Sequence, residues 1–510
     1  MSKTRLIASL GVLLAPWLLE MPAAAADEVF SVNSIINLPP TSPGPNNPGL
    51  ANKPLASFDI EFVDPAAGVL LLADRSNKSI DVASTSSNLI ISRLQPGFVG
   101  PVTAGTVMTP NPACPLHPFP APSANCSGPN GVLTVHKKVK GNDKGEGKKA
   151  GIEVWATDGN SRVWVLDLKT GTPIGPSPIS TAITSGDPNR ADELCYDPDH
   201  GIVLVANPNS SPHGFVTFIS THTYKVLGQI VMDGTNGTGL NTHGGETPPN
   251  AVGGIEQSQN SPRTGKFNIN VPKASLLQNP VISDPVYDLV LQIDPVSEAI
   301  DNTVNLTKQS PSTACVTTTG AAGITGMALG PSPQIAIACG ALGSVVISEK
   351  FSGDTTPQVY PIAGATGADE IWYNPGDNQY FFATVFNPTT KQIILNVVDA
   401  IGDNPSSSVP QEDRVATLAP ATTPICQAPC AIGNKAAADP VANQVYVPVT
   451  PANAAASNIC AANIDANGKS GDNTQGCIAI FTTVHDDPPS NEGDNGKGKG
   501  KGKGKGKGDN

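Results

Sequence analysis

The sequence predicts an all-β protein, a seven-bladed β-propeller, and three observations carry that prediction. One phrase recurs: an apolar run, an Asp- or Asn-Pro turn, a second apolar run, a polar gap and a third run. It is clearest at Phe58–Thr85 (FDIEFVDPAAGVLLLADRSNKSIDVAST) and returns at Ala191–Ser220 and Ala368–Ala400. Self-similarity at a fixed scale is the mark of a repeat architecture. The apolar runs are short, rich in Val, Ile and Phe, and broken by Gly, Pro, Asn and Asp, which is a strand-and-turn pattern. Finally, the last phrase lacks an outer strand, while an unassigned strand-like segment, Glu28–Leu38, precedes the first phrase; it is expected to complete the last blade and close the ring.

The N-terminus reads as a signal peptide over residues 1–26. Lys3 and Arg5 supply the positive start, Leu6–Leu19 the apolar segment, and PAAAAD a small-residue cleavage site. The apolar segment contains Pro16 and is short of the ~18 residues that read as a spanning helix. The expected domains are therefore the signal peptide 1–26, the propeller 27–485, and a Gly/Lys-rich disordered tail 486–510. No transmembrane segment is expected in the mature chain, and the expected location is periplasmic or extracellular.

The seven phrases follow in order. The first starts at Phe58. The second is GPNGVLTV, then an insertion at His136–Gly151, then IEVWATDGNSRVWVLDLKTGTPI. The third starts at Ala191. The fourth combines GGIEQSQNSPRTGKFNINVP with DPVYDLVLQIDPVSEAI. The fifth is GITGMALGPSPQIAIACGALGSVVISEK, and the sixth starts at Ala368. The seventh is GNKAAADPVANQVYVPVTP, closing with Cys477–Val484. Each can supply three or four antiparallel strands, one blade. Closing the ring also removes exposed sheet edges.

The segments VANPNSSPHGFVTFISTHTYKVLGQI and VWATDGNSRVWVLDLKTGTPI resemble the repeat of the YVTN-type β-propellers over roughly Phe58 to Val484. The resemblance implies the fold. It implies little about function, because propellers of this type serve as binding proteins, surface proteins and enzymes.

Nine cysteines suit an oxidising compartment. Eight fall into neighbouring pairs: Cys114 with Cys126, Cys315 with Cys339, Cys426 with Cys430, and Cys460 with Cys477. Cys195, inside an apolar run, is expected to be buried and unreactive. The net charge is −12 even with six lysines in the tail (Lys497–Lys507), so the body is strongly acidic. That argues against nucleic acid as a partner. The tail reads as a solvated segment, with contact to an anionic surface through Lys497–Lys507 as the sharper alternative.

Aligning the phrases on the turn proline singles out one position in six blades, Asp59, Asp192, Glu256, Thr325, Asp369 and Asn434; the second blade has no turn proline, and Asn130 is its candidate by its place before GVLTV. The first strand of each blade lines a propeller's channel, so these side chains should meet at the axis. Four carboxylates that close repel one another. A bound cation would relieve the repulsion, and oxygen ligands of this kind suit Ca²⁺ or Mg²⁺. Asp59, Asn130, Asp192, Glu256, Asp369 and Asn434 are thus candidate metal ligands; the plain alternative is a hydrated polar channel. Glu193 and Glu370 follow directly on ring residues, and strand alternation should turn them toward neighbouring blades, with Glu61 in a similar setting.

The scattered histidines show no metal-ligand spacing, and no nucleophile elbow, phosphate loop or dinucleotide fingerprint is present. Three readings of function follow. The first is an exported propeller binding a small-molecule or protein partner through loops on one face. The second is a metal-dependent hydrolase or lyase using the ring, by architectural analogy with the gluconolactonase-like propellers. The third is a surface protein tethered by its basic tail. The sequence does not decide whether the chain is an enzyme.

Overall fold

The computed structural model describes residues 29–41, 43, 49, 51–101, 126–137, 151–185, 189–208, 213–236, 244–278, 280–281, 284–309, 315–317, 320–321, 323–349, 359–362, 365–384, 394–400, 411–417 and 435–484. Asn434, the predicted signal peptide, the basic tail, Cys114, Cys426 and Cys430 lie outside them.

Seven four-stranded antiparallel sheets form the ring. Their inner strands are Glu61–Asp64, Val132–His136, Leu194–Asp197, Ser258–Ser261, Met327–Leu329, Ala368–Asn374 and Ala437–Asp439, for blades 1 to 7. Each inner strand contacts the inner strands on either side, including the seventh with the first, so the ring is closed. Closure is made as the leftover strand predicts. Val29–Asn37 pairs with Cys477–Val484 as the outer strand of blade 7. The first and last described strands therefore share one sheet.

The core is divided into seven apolar clusters, one between each pair of adjacent blades. Leu204, Phe218, Phe267 and Leu291 pack blade 3 on blade 4, for example, and Ala383, Val397, Val445 and Phe481 pack blade 6 on blade 7. A middle strand is covered on both faces. Ile202–Asn207 (IVLVAN) is buried along its whole length, which is why such runs are continuously apolar rather than alternating.

The Asp/Asn-Pro turns are built by side-chain caps. The carboxylate of Asp64 accepts from the Ala67 N–H (3.0 Å), that of Asp439 from Val441 N–H (2.8 Å), and the amide oxygen of Asn374 from Gly376 N–H (2.8 Å). Such short polar side chains bond their own backbone two or three residues on. The last residue of the turn is left-handed: Gly68 (φ 67°), Gly201 (67°), Gly265 (68°), Asn378 (59°) and Asn443 (52°). Only Gly and Asn adopt this routinely. Gly68 has open space where a side chain would go. Gly68→Val should therefore cost about 1–2 kcal/mol from backbone strain alone, and Gly68→Asn much less. Urea melts of the two variants check this; equal midpoints would refute it.

Two of the expected disulfides form. Cys315–Cys339 (Cα–Cα 5.0 Å) links the segment after blade 4 to blade 5, and Cys460–Cys477 (5.9 Å) pins a short helix to blade 7. Cys126 is also disulfide-bonded. Cys195 is free and buried, and burial pushes its thiol up to about 12, as an inert core cysteine requires.

Candidate functional site

The ring positions converge because the inner strands of blades 1 to 6 enter through the same irregularity. In blade 1 the Asp59 N–H donates to Ala73 O (2.9 Å) while the Ala73 N–H donates to Ile60 O (3.0 Å), so two residues face one. The same two-against-one bulge sets Asn130 and Gly131 against Thr157, Asp192 and Glu193 against Ala206, Glu256 and Gln257 against Asn270, and Thr325 and Gly326 against Ala338. In blade 6 the register shifts between Ala368 and Ile371, at Asp369 and Glu370. A bulge re-aims side chains and breaks the two-residue period.

This corrects one expectation. Glu61, Glu193 and Glu370 do not turn away into the packing between blades; all three line a cavity in the channel. Alternation holds only inside a regular ladder, and Glu193 and Glu370 sit on the bulge. The charge of Glu370 acts on Glu193 there.

The channel has two layers. At the entry ends of the inner strands lies a layer of ion pairs. Arg75 donates to Asp59 and, at 2.6 and 3.0 Å, to the Asn130 amide oxygen. Arg190 reaches Asp192 at 2.5 Å and Asp59 at 3.6 Å. Lys435 Nζ lies 2.6 Å from Asp369, 3.3 Å from Asp59 and 3.3 Å from Glu370. The positive charge that the carboxylate ring demands is thus present as three side chains of the chain itself. Among the described residues, no group of three or more His, Cys, Asp or Glu is arranged to hold a metal ion. The neutral ring members act as staples: the Asn130 amide donates to Ala191 O (2.8 Å), and the Thr325 hydroxyl to Ala368 O (2.7 Å).

The electrostatics follow from burial and from a mismatch in number. Seven acids (Asp59, Glu61, Asp192, Glu193, Glu256, Asp369 and Glu370) share the channel with three bases. Burial would raise Asp59, but Arg75, Lys435 and Arg190 overcome it and hold the carboxyl at about 2. Burial outweighs Arg190 at Asp192, pushed up to about 6 with help from Asp59. Glu370 is pushed up to about 7, again by burial, against the pull of Lys435. Burial, and then neighbouring acids, raise Glu61, Glu193 and Glu256 well above the carboxylate range. Burial would lower Lys435, but Asp369, Asp59, Glu370 and Glu193 more than reverse this and keep its ammonium charged.

The second layer is a cavity of about 380 Å³, running along the inner strands from these acids toward the Asp/Asn-Pro turns. Its inner end holds Glu61, Glu193, Glu370 and Gln257. Its walls include Phe62, Trp372, Tyr196 and Tyr373, all half-buried, and its rim includes the exposed Pro198. Phe62 and Trp372 meet edge to face, ring centroids 5.7 Å apart. Glu61 is fully buried, and neither carboxyl oxygen has a hydrogen-bond partner. The Ala437 N–H lies near enough to pull its pKa back a little, but outside hydrogen-bonding geometry. Gln257 is fixed across blades: its side-chain oxygen accepts from the Met327 N–H.

Sequence comparison with protein-family models and with curated proteins gives no match. Among solved structures, a chain of a crystal structure of the mitotic checkpoint complex is 11% identical over 94% of this chain and 99% of that one, with a TM-score of 0.47. The Pan2 WD40 domain of Neurospora crassa is 10% identical over 84% of this chain and 89% of that one, with a TM-score of 0.42. Neither likeness is close enough to bear on function. The ring of seven sheets itself makes the chain a seven-bladed β-propeller.

Proposed function

We propose that the chain is an exported β-propeller that binds a small ligand in the cavity of its central channel, entered from the face that carries the Asp/Asn-Pro turns. One observation carries the reading: a cavity with largely apolar walls is lined at one end by a few buried polar groups, one of which, Glu61, has no hydrogen-bond partner within the chain. Ligand sites have this composition, and about 300–1,000 Å³ is their usual size. The ion-pair layer supports the reading by filling the other end of the channel. It gives the cavity a rigid floor, since each cation there bridges residues from more than one strand. The paired cysteines, the signal-like N-terminus and the YVTN-type resemblance support export.

Gln259, half-buried at the cavity wall, is the position at which to test it. A panel of small amines, polyols and carboxylates should include members that raise the wild-type melting temperature. Gln259→Trp, which puts an indole into the cavity, should melt close to wild type without ligand and lose those shifts. A panel that leaves the wild type unmoved, or shifts both proteins equally, would remove the cavity as the binding site.

A further inference from the structure

Resting on that reading of the cavity, we propose that the ligand is a small organic cation, with its ammonium group against Glu61 and its apolar body against Phe62 and Trp372. The first reason is the unpartnered acid. A fully buried carboxyl with both oxygens unbonded is costly to leave so. It borders the inner end of the cavity.

The second reason is where the chain's own cations stop. Arg75 and Arg190 are committed to Asp59, Asn130 and Asp192, and Lys435 to Asp59, Asp369 and Glu370. Among the described residues none of them makes an ion pair with Glu61. The acids outnumber the bases, and the unmatched ones face the cavity. Held neutral while the cavity is empty, the Glu61 carboxyl ionises against a bound ammonium, whose charge lowers its pKa, a gain that a neutral polyol does not offer.

The third reason is the wall. Aromatic rings beside an ammonium site attract cations through their π faces, and their apolar area covers the alkyl body. Lys435 shows the same chemistry within the chain: an ammonium held at 2.6 Å by one carboxylate and 3.3 Å by a neighbouring one. The acidic body of the protein, at net charge −12 overall, adds long-range attraction for cations.

The test uses choline and its uncharged carbon analogue of the same shape, 3,3-dimethylbutan-1-ol, together with butylammonium and butan-1-ol. Binding is measured by calorimetry on wild type, Glu61→Gln and Gln259→Trp. At least one ammonium should bind wild type roughly tenfold or more tightly than its neutral counterpart. Glu61→Gln should lose about that factor for the ammonium and leave the neutral probe unchanged. Should charged and neutral probes bind equally well, and both be lost in Gln259→Trp, the cationic class is wrong and the cavity site stands. Should an ammonium bind wild type and Glu61→Gln alike, Glu61 is not its partner and the proposal fails. If no probe of either kind binds, the proposal fails, and the broader ligand panel above decides the cavity site independently. The wild-type ratio of charged to neutral probe keeps the test decisive even if a variant folds poorly.

Discussion

Replacing Lys435 with Met should destabilise the propeller by about 3–5 kcal/mol at pH 8, the usual cost of leaving buried charge without its partner. Lys435 is buried, and its ammonium touches Asp59, Asp369 and Glu370, which come from blades 1 and 6. Met keeps the length and apolar stem of the side chain, so what is lost is mainly the charge. The loss should shrink at pH 5. There Glu370, at about 7, and Asp192, at about 6, carry protons, and the remaining repulsion is smaller. Denaturant midpoints of wild type and variant at the two pH values check this. A cost under 1 kcal/mol that does not change with pH would mean that the ion-pair layer is not what neutralises the ring.

The wild type should be more stable near pH 5 than near pH 8, by several degrees in melting temperature. The sign follows from linkage. A carboxyl whose pKa is higher in the folded than in the unfolded state stabilises the fold fully below its unfolded value. That contribution is lost as pH rises through the folded value. Asp192 and Glu370 place the loss between about pH 4 and pH 7, and Glu61, Glu193 and Glu256 act in the same direction. Asp59, held at about 2, acts oppositely, but only below about pH 4, where its stabilisation falls away. Each unit of such a shift is worth about 1.4 kcal/mol. The coupled channel acids together should therefore give a maximum in mild acid. A melting temperature that peaks at pH 7–8 would show that these acids are not held neutral in the fold.

The ring was legible in the sequence because it repeats. The turn proline is a fixed mark, and counting back from it lands on Asp59, Asp192, Glu256, Thr325 and Asp369, which the structure places in equivalent register. Asn130 was found without a proline, from its place before GVLTV, and sits in the same register. The three cations were not legible in the same way, since they occupy unlike positions. Arg75 follows the second strand of blade 1, and Arg190 precedes blade 3 in the connection from blade 2. Lys435 alone was within reach of the frame: it stands one residue after the ring position of blade 7, in the column of Glu193 and Glu370. The roles of Glu61, Glu193 and Glu370 were misread because period-2 alternation was applied across a bulge, where it does not hold.

The sequence by itself determined the architecture: seven blades, their turns, the closing strand and the polar column around the axis. Those features are local or periodic, set by apolar runs, Asx-capped turns and left-handed Gly or Asn. The tertiary structure alone decided which side chains the polar column touches. Whether four ring carboxylates face a metal, water or guanidinium and ammonium groups depends on side chains brought together from blades 1, 6 and 7 and from the connection before blade 3, across hundreds of residues. The cavity is also a product of closure, since its lining comes from six inner strands that meet only when the ring is complete.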